Sequence, residues 1–398
     1  MIPYVCKISI LNRIGQTSEI PQAFEISKAS SCFLIDQKGN TYVDMISGFS
    51  VSNIGHQHPK VIEAIKNQAD LYLHSTVYGE HIQSPQIKLA ELLTSCLPPT
   101  LNQVYFLTTG SETIDAAIKL CRKATGRFEI VVCRKAYHGS TLAAESLRSD
   151  HDHNQAFRPL IPGIRFIDAN KISDLEFINS KTAGVITEVV QAEAGVVHLE
   201  DSYLKELRFK CNKTGSLLIF DEIQTGLGRT GSLFAFQKTS VCTDILLSGK
   251  ALGGGMPLAA LITSKQLLVH FMRQPALSYI STFGGHPVSC AAGYASLKVL
   301  FEEKILEEVE LRKELMIKIL HAPAIIEVRC AGLLMAIDFK NESLVWTLIN
   351  RLYHKNILVE SFLFCPGALR IAPPLNIPIP ILEKTCQTIL ETIIELNT

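Results

Sequence analysis

The sequence predicts an α/β protein with a large domain built on a mostly parallel sheet and a smaller α+β C-terminal domain. Three observations predict it. Short β-type runs alternate with helix-period segments over most of the length, as in strands joined by helical crossovers. Beyond Pro287 the pattern changes to a long helix-type stretch and then a mixed tail. Finally, the apolar run Leu217-Leu218-Ile219-Phe220 ends abruptly in a carboxylate, Asp221, the profile of a buried strand that stops at a polar site.

The elements follow in order. Cys32-Phe33-Leu34-Ile35 and Tyr42-Val43-Asp44-Met45 flank Gln37-Lys38-Gly39-Asn40 and read as a hairpin, because Gly and Asn supply turn conformations. Residues 61–73 carry helical periodicity. Val104-Tyr105-Phe106-Leu107 reads as a strand, and 112–124 as a helix with Ile114, Ala117, Ile118 and Cys121 on one face. Further strands are expected at 129–133, 163–166, 183–190 and 217–220. Residues 288–320 read as one long helix, 328–339 and 357–360 as strands, and 381–396 as a closing helix just past Pro380. The domains expected are an N-terminal arm and hairpin (1–48) associated with the small domain, a large cofactor-binding domain (49–287) and a small C-terminal domain (288–398).

Composition narrows the function classes. The 398-residue chain is 47% hydrophobic and 19% charged, with a formal net charge of zero, the profile of a globular protein with a sizeable core. It has no basic run to track nucleic acid, and no window reaches the ~18 apolar residues of a membrane span. Lys7 and Arg13 interrupt the apolar N-terminus, so no signal peptide is expected. Eleven cysteines at irregular spacing, without a C-x-x-C pair, fit neither a disulfide framework nor a zinc site and point to reduced thiols in the cytoplasm. Gly55-His56-Gln57-His58-Pro59 places two histidines on a Pro-broken turn with no nearby Cys or Glu partner; no metal is expected.

The chemistry concentrates in LLIFDEIQTGLGRTG and, sixteen residues on, SGKALGGGMP. A carboxylate at a strand end and a lysine, Lys250, before Gly253-Gly254-Gly255 are what pyridoxal phosphate needs. The amine forms a Schiff base with the cofactor aldehyde. The acid keeps the pyridine nitrogen protonated, so the ring draws electrons from a substrate carbanion. Taken singly, Asp221 reads equally as a turn residue and Lys250 as a surface group. Gly226-Leu227-Gly228-Arg229-Thr230-Gly231 satisfies a dinucleotide fingerprint, but Asp221 to Thr225 separate it from the strand and no capped helix follows. The nicotinamide reading is rejected.

Together these residues resemble the class III pyridoxal-phosphate aminotransferases, the ornithine, acetylornithine and 4-aminobutyrate group, through DEIQTGLGRTG followed by K-x-L-G-G-G-x-P. The resemblance implies the aspartate-aminotransferase type of fold, a pyridoxal 5'-phosphate cofactor and a homodimer with shared active sites. It also implies transamination between an amino acid and 2-oxoglutarate. By the same resemblance Lys250 is the Schiff-base lysine and proton shuttle, and Asp221 the pyridine partner. Gly110 and Ser111, in Thr108-Thr109-Gly110-Ser111-Glu112, hold the phosphate, as glycine turns at helix N-termini can; a plain helix cap explains the same residues. Tyr137 and Ile223 cover the two ring faces, Gln224 reaches the phenolic oxygen, and Glu188 belongs to the cofactor-binding set. Thr282, in STFGGHP, serves the phosphate of the neighbouring subunit.

For substrate the resemblance assigns Arg370, in LRIAPP, to a carboxylate, with Glu193 as its pairing acid, while Phe49 lies among the residues that set the donor. Departures from the family pattern stand at Thr108 and Thr113, at Val189 and Ala192, and at His286 in place of Asn. Two alternatives stay open: an aminomutase or decarboxylase on the same scaffold, or a relative that has lost catalysis. The latter is disfavoured by the presence of Lys250, Asp221, Gln224 and the phosphate turn. The identity of the amino donor is not legible.

Overall fold

The structure, a computed structural model, describes residues 13–19 and 21–396; the first twelve residues of the expected arm, and with them most of the segment weighed as a signal peptide, lie outside these. Three sheets of four or more strands organise the chain. The hairpin comes first: β1 (Ile26–Ser30), β2 (Phe33–Asp36) and β3 (Thr41–Asp44). Its turn is fixed by Asp36, whose Oδ1 accepts from Lys38 N (2.9 Å) and Asn40 N (2.8 Å).

The central sheet takes β4 (Gln103–Leu107), β5 (Glu129–Cys133), β6 (Ile164–Ile167), β7 (Thr182–Thr187), β10 (Leu217–Asp221), β11 (Ile245–Ser248) and β12 (Ala259–Thr263), where a small ribbon, β8 (Val190–Gln191) with β9 (Val197–His198), intervenes. Its order is β4-β12-β11-β10-β7-β5-β6. Only β12 runs against its neighbours. Strands β5, β7, β11 and β12 are buried at every residue, because helices cover both faces of a parallel sheet and leave no face for alternation. Along β10, Leu218 and Phe220 enter one apolar core and Ile219 the other. The Gly110–Thr125 helix packs its predicted face, Ile114, Ala117, Ile118 and Cys121, into the second core.

The third sheet is antiparallel, in the order β13 (Glu327–Ala331), β14 (Leu334–Asp338), β17 (Ala368–Ile371), β16 (Glu360–Ser361). The remaining strand, β15 (Ile357–Leu358), joins the N-terminal hairpin parallel to β3.

Four expected elements are corrected. The 288–320 helix is two helices, Pro287–Glu302 and Val309–Ile319, separated by a 3₁₀ turn. Lys304 breaks it at φ 52°, and Ile305 and Val309 beyond the break are buried; periodicity does not register such a break. The 328–339 strand folds back at Gly332, φ 56°. The 183–190 run stops at Thr187, so Glu188 leaves the ladder. The 357–360 run switches sheets at Val359. Helices at Ser84–Ser95, Asp201–Thr214, Lys265–Met272 and Glu342–His354 add to those read from the sequence; the last buries Val345, Leu348, Ile349 and Leu352 along one face, a period the residues do carry.

Glu222 fastens the end of β10. It is fully buried, and its carboxylate accepts from Thr225 Oγ1 (2.6 Å), Ala235 N (2.9 Å) and Phe236 N (2.7 Å). Burial nevertheless pushes its carboxyl up to about 7 from 4.5. The folded chain therefore holds a proton that the unfolded chain releases between those values, and the associated stability, full at low pH, is lost as pH rises through about 7. Wild type should lose stability relative to Glu222→Gln between about pH 5 and about pH 8, read by urea unfolding at each pH. No change in the difference across that range would mean that the three donors keep the carboxylate ionised.

Candidate active site

Asp221 ends β10, paired in register with Leu247 of β11. One residue past β11 the chain turns at Gly249 and presents Lys250, itself in the left-handed region at φ 49°. The two residues, 29 apart in sequence, thus emerge at the same edge of the parallel sheet, where strand ends open a crevice. The Gly110–Thr125 helix starts beside them after β4. Thr109 caps it by accepting from Glu112 N (3.3 Å), and Glu112 Oε2 accepts in return from Thr108 N (2.8 Å). The helix cap and the anion-ready N-terminus are therefore one structure; the two readings of Thr108 to Glu112 do not compete.

A cavity of about 210 Å³ lies between these ends. Gly110, Ser111, Tyr137, Glu188, Asp221, Ile223, Gln224 and Lys250 all line it, together with His138 and Gly139. Lys250 Nζ donates to Gln224 Oε1 at 2.9 Å. Burial pushes the lysine amine below its ordinary value, helped by Arg370 and resisted by Glu193, Asp221 and Glu188. Burial likewise drives the Glu188 carboxyl well above the carboxylate range, and the charge of Asp221 adds to it; one Glu188 oxygen accepts from Ala192 N at 3.3 Å.

Beside the cavity, Arg370 on β17 and Glu193 form an ion pair. Burial alone would raise the Glu193 carboxyl, but the Arg370 guanidinium holds it below the ordinary value. Arg370 Nε also donates to Ser361 O (3.1 Å), and Glu193 Oε2 accepts from Leu363 N (3.1 Å). The guanidinium lies 5.1 Å from the ring centre of Phe49 and 4.4 Å from that of Phe362, a two-sided cation–π clamp.

Thr282 does not line the cavity and is exposed in the single chain. Of the departures, Ala192 is fully buried and uses only its backbone at Glu188, and His286 stacks on His74 with centroids 5.8 Å apart.

Beyond Tyr137, the structure adds its neighbour His138 to the site. Its Nδ1 lies 2.6 Å from Asp221 Oδ2 and its side chain is fully buried, so it completes the surroundings of the acid. Phe362 was missed as well. Neither contact leaves a local signal: 83 residues separate His138 from Asp221.

The site fits a phosphorylated, ring-bearing cofactor on three counts. His138 Nε2, Glu188 Oε2 and Gln224 Nε2 are buried without a partner, a state that buried polar groups rarely keep. Glycines make the cradle: a Cβ on Gly139 (φ 125°) would sit 2.0 Å from Ser111 Oγ, and one on Gly110 2.9 Å from Ile223 Cδ1. Backbone N–H groups at the start of a sixteen-residue helix suit an anion. Among the described residues no group of three potential ligands could hold a metal ion, and no helix is long and apolar enough to cross a membrane.

Fold and site together define a pyridoxal-phosphate-type transaminase of the aspartate-aminotransferase fold. Residues 14–394 match the family described as aminotransferase class-III, and the chain belongs to that family. It is 36% identical over 383 residues to the acetylornithine aminotransferase of Bacillus cereus, covering 94% of this chain and 96% of the relative. It is 38% identical over 306 residues to that of Methanopyrus kandleri, covering 76% and 77%. The ornithine aminotransferase structure from Toxoplasma gondii ME49 superposes with a TM-score of 0.90 at 28% identity, covering 99% of this chain and 94% of that one.

Gly139→Ala should weaken pyridoxal phosphate binding by about tenfold or more, the scale of the ~1–3 kcal/mol that overpacking costs. Absorbance titration of the cofactor-free protein measures it. Unchanged affinity would remove Gly139 and Ser111 from the cradle.

Proposed function

We propose that this enzyme transfers an amino group from an ω-amine donor of the ornithine or N-acetylornithine kind to 2-oxoglutarate, using pyridoxal 5'-phosphate. The observation that carries the reading is the buried Glu193–Arg370 pair next to Lys250. Bound pyridoxal phosphate supplies an aldehyde that takes the amine and a ring that withdraws electrons. Gly110 and Ser111 would hold its phosphate, Tyr137 and Ile223 would cover its ring, and Gln224 would bind its phenolic oxygen. Glu188 belongs to the same wall. Asp221, held by His138 at 2.6 Å, would partner the pyridine nitrogen and keep its proton in place.

Lys250 is the covalent anchor and the base. An amine relieved of charge by burial would take up and return the proton that moves in the reaction. Arg370 holds the α-carboxylate of 2-oxoglutarate bidentately, a geometry that its planar fork favours. Glu193 neutralises Arg370 while an ω-amine donor is bound. Phe49 borders this pocket and helps to set the donor. The exposed position of Thr282 in one chain suits a residue that completes the phosphate site of a second, so the working unit is a homodimer. The ten described cysteines are free, which supports a reducing, cytoplasmic setting.

Arg370→Ala should cost about 2–5 kcal/mol in the 2-oxoglutarate half-reaction, the price of leaving a buried charge unpaired, and spare an ω-amine donor. Glu193→Gln should shift preference toward α-amino donors such as glutamate. Stopped-flow absorbance of each half-reaction decides; equal impairment of both by Arg370→Ala would favour an aminomutase. Lys250→Ala should bind cofactor without turnover. Mixing it with an inactive Thr282→Ala protomer should restore activity in heterodimers, because one of the two sites then has both residues. A fully active monomer would refute the shared site.

A further inference from the structure

Arg229 lies in the loop that resembles a dinucleotide fingerprint, and the chemistry described so far does not use it. It is wholly buried, and its hydrogen-bond acceptors are all neutral. Nη1 donates to Leu333 O (2.9 Å) and Pro373 O (2.6 Å), and Nη2 to Asn53 Oδ1 (2.6 Å). Burial pushes the guanidinium down to about 9, with Asp44 opposing. A cation buried on neutral acceptors is costly, so the position calls for a reason.

The acceptors supply one. Leu333 immediately precedes β14 and Pro373 follows β17, and these two strands pair with Ala336 opposite Arg370. Asn53 closes the turn that carries Phe49, where residues 47–50 all sit at positive φ. That turn is stitched to the same strand: Ala372 N donates to Met45 O (2.6 Å), Ser47 Oγ to Ala372 O (2.7 Å) and Leu375 N to Asn53 O (2.7 Å).

On its own side Arg229 continues the cofactor loop. Arg229 N bonds Gly226 O (3.3 Å), and Gly226 N bonds Glu222 O (3.0 Å). Arg229 O accepts from Leu333 N (3.0 Å), and Asn53 Nδ2 donates to Leu227 O (2.8 Å). A Cβ on Gly332 would lie 2.5 Å from Arg229 O, so the two segments touch backbone to backbone. One planar fork therefore joins the Asp221–Gln224 half of the site to both walls around Arg370.

We infer that Arg229 is a positioning residue for the substrate-carboxylate pocket, setting where Arg370 and Phe49 stand relative to Lys250. The inference rests on the reading of Arg370 as the carboxylate holder. Lysine has one compact head and cannot span three acceptors in two directions, so Arg229→Lys keeps the charge and loses the geometry. Asn53→Ala removes one acceptor of the fork, together with the Nδ2 bond to Leu227 O, and leaves the Arg229 charge in place.

The test uses holoenzymes of Arg229→Lys, Asn53→Ala and Arg370→Ala. Each half-reaction is followed separately, and spectral titration with glutarate, a non-reacting dicarboxylate, reads binding without turnover. Arg229→Lys should raise the KM for 2-oxoglutarate and the glutarate Kd about tenfold, since displacements near 1 Å carry such penalties, while the ω-amine half-reaction stays within about threefold. The bound cofactor's absorbance should not change. Asn53→Ala should show a smaller shift in the same direction. Equal loss in both half-reactions, or unchanged glutarate affinity in a folded Arg229→Lys, overturns the inference. If that variant does not fold, Asn53→Ala decides, and unchanged glutarate affinity there overturns it. Arg370→Ala separates the two readings: if it leaves glutarate affinity intact, the carboxylate pocket itself fails and this inference with it. If Arg370→Ala weakens glutarate and the other variants do not, only the role of Arg229 falls.

Discussion

Five ionisable side chains, Glu188, Glu193, Asp221, Lys250 and Arg370, meet out of water at one edge of a sheet, and their mutual neutralisation constrains everything around them. An unpaired charge in such a place costs several kcal/mol, whereas a paired and hydrogen-bonded one is tolerated. The structure meets the constraint group by group. Glu193 faces Arg370, Asp221 faces His138, Glu188 is driven toward its neutral form, and Lys250 toward its own. The same balance is chemically useful. It leaves a basic amine and a held proton within one cavity, beside an arginine paired with Glu193.

Such a cluster needs a rigid frame, and the central sheet provides it. Parallel strands deliver their C-terminal ends to one edge, so Asp221 and the Lys250 turn arrive side by side through the β10–β11 ladder. The Gly110 helix points its N–H groups at the same place. Backbone can approach this closely because glycine occupies position 139, where a methyl group has no room. The surroundings of Arg370 are built differently. Arg370 stands on an antiparallel strand from the C-terminal part, and the Phe49 turn comes from the N-terminal part. The two are joined to each other and to the cofactor loop by hydrogen bonds on Arg229 and Asn53.

Much of this was legible in the residues. The β10 run, the helix face Ile114–Ala117–Ile118–Cys121, the hairpin around Gly39 and the pairing of a strand-end acid with a loop lysine follow from local pattern. So does rejection of the nucleotide reading of residues 226–231, although the pattern did not disclose what that loop does. Less legible were segments whose local preference is overruled by packing. Residues 288–320 favour helix throughout, yet the helix breaks at Lys304; residues 357–360 look like one strand, yet serve two sheets.

Sequence by itself determined which groups are present and which local conformations they favour: the apolar runs, the glycine turns, the helix cap and the acid–lysine chemistry. These rest on interactions within a few residues or on side-chain identity, so they can be read along the chain. Tertiary structure alone decided partners. That His138 orients Asp221, that Phe49 and Phe362 enclose Arg370, and that Arg229 spends a buried charge on two carbonyls and an amide all depend on contacts between distant segments. Such contacts are fixed by how sheets and helices pack, and packing leaves no local trace in the order of residues.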